Sequence, residues 1–246
     1  MNNNLKVARP NGWDTPKITP YLENLWGNTI GTFANKQESH RLFRIDDLMS
    51  EIGEDWRGVK PNSVALVPLM MFYRCHSAYR AAAALGMGGA TTEGMAVLRL
   101  ALEWSGYSAL IAIEPKLADV WWDRDLDDAS LKRLRRSFSN DDVLEAIEKN
   151  DKHLSGVYAN LYARLIQYGA HPNEKAVTSN LEYKRDSMKM ELNQIYLQAD
   201  GLQLDHWIRT ANQTGICALK VFGFIHKERY AHLDLNKRID ALASNL

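Results

Sequence analysis

The most apolar stretch of the chain is Met95-Ala-Val-Leu-Arg-Leu-Ala-Leu-Glu-Trp-Ser-Gly-Tyr-Ser-Ala-Leu-Ile-Ala-Ile113. It is about as long as a membrane-spanning helix. However, it carries Arg99 and Glu103 one helical turn apart, and hydrocarbon strongly disfavours such charges. We therefore interpret it as the buried core helix of a protein that does not enter a membrane. Together with the helical patterns along the rest of the chain, it predicts an all-α fold.

The sequence before this stretch predicts its packing partner. Asn62 and Ser63 are good caps for a helix over residues 62–85, which the break Gly86-Met-Gly-Gly89 ends. Thr91 and Thr92 are expected to cap the next helix, which continues to about residue 114. Because the break is short, the two helices should pack as an antiparallel hairpin.

The rest of the chain is also mostly helical in pattern. Three prolines, Pro10, Pro16 and Pro20, predict an extended arm over residues 1–20, and residues 21–246 are expected to form a single helical domain. Residues 177–197 are ambiguous, because alternating apolar residues indicate a β-hairpin flap while a helix stays open as an alternative. Apolar residues at helical spacing predict a helix that begins near residue 21 and helices over 40–52, 151–170, 204–225 and 235–246. Shorter helices are expected over 116–124, 129–138 and 143–149.

Composition excludes several classes of protein. The 246 residues are 46% apolar and have a formal net charge of zero, which argues against both disorder and general polyanion binding. Cys75 and Cys217 are isolated, and the seven histidines are scattered, so we expect neither a disulfide framework nor a metal or cofactor. The first ten residues lack the apolar core of a signal peptide, which favours a cytoplasmic protein.

The first candidate site is the pair Arg99 and Glu103. Arg before Glu at this spacing supports a helix less well than the reverse order, so the pair should serve tertiary structure or a site. Gly106 continues the same face and leaves room for a neighbour to approach. From the preceding helix, Arg74 and Arg80 could reach the same zone.

The second candidate site is Arg164-Leu-Ile-Gln-Tyr-Gly-Ala-His171. Seven residues are about two helical turns, so Arg164 and His171 share a face. The plain interpretation is a histidine at a helix C-terminus and an arginine in an interface. Alternatively, the two residues form a minimal phosphoester site, in which arginine holds the phosphate and histidine transfers a proton.

These motifs together resemble an uncharacterised bacterial all-α family. The resemblance covers roughly residues 43–224, and its quoted motifs are Leu98-Arg-Leu-Ala-Leu-Glu103, Trp121-Trp-Asp-Arg124, Leu161-Tyr-Ala-Arg-Leu-Ile-Gln-Tyr-Gly-Ala-His-Pro-Asn173 and Gly215-Ile-Cys-Ala-Leu219. That family in turn resembles the HEPN superfamily (higher eukaryotes and prokaryotes nucleotide-binding domains). The resemblance implies a helical bundle, commonly dimeric, and many such proteins are metal-independent RNases of toxin or defence systems.

The resemblance also implies roles for individual residues. The HEPN signature is an arginine, about four to six intervening residues and a histidine, which Arg164 and His171 fit. An acidic residue from an earlier helix would correspond to Glu103. The residue after the arginine is usually polar in that superfamily, whereas here it is Leu165.

Three hypotheses follow from the sequence. In the first, a HEPN-like RNase uses Arg164 to bind the scissile phosphate and His171 to transfer a proton, while Glu103 and Arg99 shape the cleft. In the second, a non-catalytic helical module binds a nucleotide, a small ligand or a protein partner. In the third, both arginine clusters are purely structural. Small residues in the helix 204–225 predict that another helix packs closely on it. We also expect a homodimer, but the two predictions are separable, because the close packing can be wholly intramolecular.

Overall fold

A computed structural model describes residues 9–56, 63–170, 174–186 and 189–246 of the chain. These residues form an all-α bundle with one small β-hairpin, as predicted. The elements are α1 Thr19–Asn35, α2 His40–Asp55, α3 Ser63–Met87, α4 Thr91–Ile113, α5 Leu117–Trp122, α6 Asp128–Ser137, α7 Asn140–Glu148, α8 Lys152–Leu165, α9 Glu174–Thr178, β1 Leu181–Asp186, β2 Lys189–Gln194, α10 Leu202–Ile225, α11 Lys227–His232 and α12 Leu235–Ala243.

Helix α4 is the centre of the bundle, as its apolar sequence predicts. It packs against α3, α7, α8 and α10, and Leu98, Leu102 and Ile111 are fully buried in the common core. By length and composition α4 could also cross a membrane, but core helices of soluble proteins meet the same criterion. Half of its most apolar window is buried against the other helices.

The turn between α3 and α4 is built by glycine. Gly89 adopts φ +96°, a left-handed conformation that glycine tolerates, and the next amide donates to the Leu85 carbonyl at 3.0 Å. A Cβ on Gly86 would lie 1.9 Å from the Trp207 ring. The predicted threonine caps are wrong, because Ala90 occupies the cap position and Thr92 instead accepts a hydrogen bond from the Asn180 amide at 2.8 Å.

The predicted hairpin forms, and the helical alternative for most of residues 177–197 is wrong. β1 and β2 pair antiparallel, with Leu181 opposite Gln194. The segment that follows is tied to the bundle, because the Gln198 amide donates to the Gly89 carbonyl at 2.8 Å. The turn residues 187–188 lie outside the described residues.

Two other regions differ in detail from expectation. Helix α1 begins at Thr19, so Pro20 lies in its first turn, where a missing N–H costs nothing. The described part of the predicted arm, residues 9–18, consists of turns, and residues 1–8 lie outside the described residues.

The small residues of α10 pack inside the molecule. A Cβ on Gly215 would lie 2.7 Å from Ile45 and 2.8 Å from Tyr79, so this narrow point receives α2 and α3. Ala211 and Ala218 are buried as well. The close packing that the sequence predicts is therefore intramolecular, and these residues do not provide a surface for a second copy.

Candidate functional site

Helix α8 separates the two arginine clusters that the sequence singles out. Tyr162 and Arg164 are two residues apart, so their side chains leave the helix on roughly opposite sides. Tyr162 faces Glu103 on α4, whereas Arg164 faces α10. Between them, Leu161 and Leu165 are buried in the core. Glu103 and Arg164, which the first hypothesis assigns to one cleft, therefore take part in separate clusters.

The first cluster is charge-compensated. Arg99 Nε donates to Glu103 Oε1 at 2.8 Å, and the Tyr162 hydroxyl donates to the same oxygen at 3.3 Å. The Arg99 guanidinium also lies 5.5 Å from the centre of the Tyr162 ring, within cation–π range. The side chains of Arg99 and Glu103 are 25% and 23% exposed, so the pair is partly buried and not sealed.

Residues of α7 and α8 approach α4 closely at Gly106, as the sequence predicts. A Cβ there would lie 2.3 Å from the Tyr158 hydroxyl and 2.6 Å from Val143. Tyr158 is fully buried and donates to the Leu102 carbonyl at 3.2 Å, and burial raises its pKa well above the ordinary value. The glycine makes room for a core tyrosine, so this face of α4 is a packing surface.

The arginines of α3 do not take part in the hydrogen bonds of the Arg99 cluster. Arg80 faces α2, where it donates to both oxygens of Asp46 at 2.7 and 2.9 Å, and His76 Nε2 lies 2.6 Å from the same carboxylate. Burial by itself would raise the pKa of Asp46, but the hydrogen bonds from His76 and Arg80 outweigh it and lower the pKa to about 2. Arg74 is exposed on α3. The expectation that Arg80 joins the Arg99 zone is wrong.

Arg164 lines a groove between α8, α10 and the C-terminal helix α12. The groove has a volume of about 350 Å³, and besides Arg164 its polar lining consists of Asp151, His153, Asn160, Gln213 and Lys220. Asp151 also caps α8, where it accepts a hydrogen bond from the Leu154 amide at 2.9 Å. Arg164 Nη1 donates to Gln213 Oε1 at 2.7 Å and lies 3.4 Å from Thr210 Oγ1. Both of these partners are neutral.

Arg164 therefore differs from Arg99 in how its positive charge is compensated. Among the residues that the structure describes, no carboxylate forms an ion pair with it, whereas Arg99 pairs with Glu103. Lys220, at the other end of the groove, is paired with Asp240 at 2.7 Å. A guanidinium held in place by neutral oxygens keeps its remaining N–H groups for an anion.

A histidine that sequence reasoning missed lies beside Arg164. His206 on α10 packs against Tyr168 with ring centres 4.9 Å apart. Burial first, and then the charges of Arg164 and Arg209, lower the pKa of His206, so this imidazole stays neutral near pH 7. The sequence does not show that α8 packs against α10. The one available signal was the four-residue spacing of His206 and Thr210, which places both on the same face of α10.

The predicted proton-transfer residue, His171, lies outside the described residues. The chain reaches it through a π-helical turn, Ile166–Ala170, that packs closely on α4: a Cβ on Gly169 would lie 2.5 Å from the Ala96 amide nitrogen. Leu165, at the position that is usually polar in HEPN proteins, has no exposed surface and belongs to the core.

Within the described ranges, no group of three or more histidine, cysteine or acidic side chains is arranged to hold a metal ion. Cys75 and Cys217 are buried and free, and burial raises the pKa of the Cys217 thiol to about 12. In comparisons with protein-family models, curated proteins and solved structures, none matches this chain. The candidate site is therefore defined by its own geometry, and it is the groove around Arg164.

Proposed function

We propose that this chain is a HEPN-like cytoplasmic protein that binds RNA, with one phosphate held by Arg164 in the groove between α8 and α10. The observation that carries the proposal is the uncompensated charge of Arg164. Its hydrogen bonds go to Gln213 and Thr210, and among the described residues it has no carboxylate partner. A planar guanidinium fixed in this way matches the geometry of a phosphate.

The proposed reaction is metal-independent cleavage of the phosphodiester. His171 follows the helix that carries Arg164, and in the proposed reaction it accepts the proton of the ribose 2′-hydroxyl. The 2′-oxygen of the substrate then attacks phosphorus while the P–O5′ bond breaks, so one product ends in a 2′,3′-cyclic phosphate. The departing 5′-oxygen takes up a proton from water and leaves as a 5′-hydroxyl. Arg164 stabilises the charge that develops on the phosphate oxygens. Glu103 has no direct part in this step, because it is bound by Arg99 and Tyr162 on the other side of α8.

A second candidate function is favoured by Leu165. Its side chain is fully buried, so it gives the site no polar group at the position where HEPN RNases usually have one. A non-catalytic module that binds a nucleotide or RNA through Arg164 is consistent with this feature. The two functions share the phosphate contact and differ only in whether a bond is broken.

One pair of assays distinguishes them. Cleavage of a fluorescent RNA in EDTA, with analysis of product ends, tests the reaction, and fluorescence anisotropy with the same RNA tests binding. If the protein is an RNase, Arg164→Ala and His171→Ala should each lower cleavage by at least about a hundredfold. If it is a binding module, intact RNA should be recovered and Arg164→Ala should weaken binding about tenfold or more.

Arg209→Ala is the matched control, since Arg209 is an exposed arginine on α10 within one turn of Thr210. It removes the same charge from the neighbouring helix, outside the groove around Arg164, and should leave both cleavage and binding within about twofold. Wild-type protein that neither binds nor cleaves RNA would contradict the proposal. Equal losses in Arg164→Ala and Arg209→Ala would show a general charge effect and would also contradict it.

A further inference from the structure

Helix α1 presents most of its large apolar residues to solvent. Its apolar residues face solvent: Ile18, which precedes the helix, is 60% exposed, and the residues that continue its stripe are Leu22 at 41%, Trp26 at 66%, Ile30 at 54% and Phe33 at 46%. We name these five residues the α1 stripe. They recur at spacings of four and three, so they lie on one side of the helix.

On the opposite side of α1, Leu25 packs against the turn at Gly88, and polar groups add hydrogen bonds to the bundle. The Asn28 amide donates to the Gly88 carbonyl at 3.1 Å, and the buried Thr32 hydroxyl donates to the Met87 carbonyl at 2.8 Å. These bonds fix the helix with its apolar side outward. The exposed stripe is therefore a built feature of the fold, since rotating α1 to bury it would break both hydrogen bonds.

The stripe continues onto α2 and borders a groove. Phe33 packs edge-to-face on Phe43 with ring centres 4.9 Å apart, and Phe43 is itself 44% exposed. Thr29 and Phe43 line a mainly apolar groove of about 220 Å³ with Ala83 and Met87, and the ion pair of Asp46 and Arg80 also borders it. A cavity of about 150 Å³ is enough for a benzene ring, so this groove can accept an aromatic side chain.

We propose that α1 is the interface of a homodimer, in which the α1 stripe packs antiparallel on the stripe of a second copy and Trp26 enters the partner groove. With the two-fold axis near Trp26, Leu22 lies opposite Ile30, so the apolar sequence is nearly self-complementary, as a two-fold interface requires. The only charged residue within α1 is Glu23, which the antiparallel arrangement places opposite Thr29 and away from its own copy.

The size of the surface fits a second copy. From their fractional exposures, the stripe and Phe43 present on the order of 500 Å² of apolar side chain. A stable interface buries about 800 Å² per partner, of which such a patch is the apolar centre. A membrane surface is a poorer occupant, because membrane-surface helices carry lysine and arginine on their polar face and α1 carries neither.

Sedimentation equilibrium of the full chain over about 1–100 µM tests the proposal. Wild type should sediment as a dimer at twice 28.0 kDa. Trp26→Glu should weaken dimerisation by at least about thirtyfold, as for a central tryptophan of an interface. Trp122→Glu is the matched control, because Trp122 on α5 is 57% exposed and lies outside the stripe, and it should leave the dimer intact.

Two further variants guard against misfolding as an explanation. Ile30→Glu replaces a stripe residue that is 54% exposed, so it should keep the melting temperature of the wild-type monomer. It should nevertheless weaken dimerisation, because it places a carboxylate against Leu22 of the second copy. Trp26→Cys should form an interchain disulfide on mild oxidation, whereas the wild-type cysteines Cys75 and Cys217 are buried.

The proposal fails if wild type is a 28.0 kDa monomer at every concentration, or if Trp26→Glu and Ile30→Glu both remain dimeric. Binding of the monomer to vesicles of anionic lipid that depends on Trp26 would assign the stripe to a membrane and would also overturn it. Both outcomes are independent of RNA binding at Arg164, so this proposal and the proposed function can fail separately.

Discussion

Two arginine clusters lie on opposite sides of α8, and they differ in whether a carboxylate neutralises the arginine. Toward α4, Arg99 is neutralised by Glu103, and the Tyr162 hydroxyl donates a further hydrogen bond to the Glu103 carboxylate. Toward α10, Arg164 is held by the neutral side chains of Gln213 and Thr210. A compensated arginine stabilises the packing of its helices. An uncompensated one keeps its charge for a ligand, which is why we place the candidate site at Arg164.

The largest effect on stability should come from breaking the compensated cluster. Glu103→Ala leaves the partly buried Arg99 without its partner and should lower the free energy of unfolding by about 2 kcal/mol. This is less than expected for a sealed pair, because water reaches about a quarter of each side chain. Urea unfolding followed by circular dichroism measures the difference.

The surface pair Glu145 and Lys149 gives the control for that measurement. It has the same i,i+4 spacing and a 3.0 Å separation, but both side chains are more than half exposed. Glu145→Ala should therefore cost no more than about 0.5 kcal/mol. Equal losses in Glu145→Ala and Glu103→Ala would mean that the Arg99 cluster has no special structural role.

A third cluster extends the comparison to pH. The pKa of Asp46 is lowered from 3.8 to about 2 in the folded protein, so its ionised form favours folding. Its contribution is complete above about pH 4 and is lost as pH falls from there toward 2. Because Asp46 is partly exposed, we expect about 1–2 kcal/mol over this range.

Urea unfolding at pH 5 and pH 2.5 tests this expectation with Asp46→Asn as the variant. The variant should lose part of the acid dependence that wild type shows. Glu148→Gln is a suitable control, since its ion pair with Lys152 is exposed. An acid dependence that is the same in wild type and Asp46→Asn would show that other carboxylates govern it.

Of the three clusters compared, the candidate site should contribute least to stability. Arg164→Ala removes two hydrogen bonds to neutral oxygens, which Gln213 and Thr210 can replace with water in the groove. We expect a loss of at most about 1 kcal/mol, while RNA binding or cleavage is strongly reduced. Melting curves and the RNA assays on one preparation make the comparison, and a loss above that for Glu103→Ala would indicate a structural arginine.

Much of the secondary structure was predictable from local signals. The pattern Ser139-Asn-Asp-Asp142 predicts a capping box, and the helix α7 begins with one. Alternation around residues 181–194 predicts the hairpin that forms. These predictions succeed because caps and side-chain alternation involve residues only a few positions apart.

The candidate site was only half predictable. Arg164 was identified from its spacing to His171, but its contacts with Gln213 and Thr210 join residues nearly fifty positions apart. The prediction for Arg80 was wrong because helical spacing on α3 does not reveal that Asp46 faces it. Likewise, the exposed α1 stripe looks like a core-facing pattern until Asn28 and Thr32 are seen to bind the bundle.

By itself, the sequence determined which segments are helical, where several helices begin, and that α4 is the apolar centre, because propensity, capping and apolar periodicity are local properties. Only the tertiary structure decided which arginine is neutralised and which apolar face is left outward. Both depend on the rotation of each helix against its neighbours, and that rotation is set by long-range contacts such as Tyr162 to Glu103 and Thr32 to Met87.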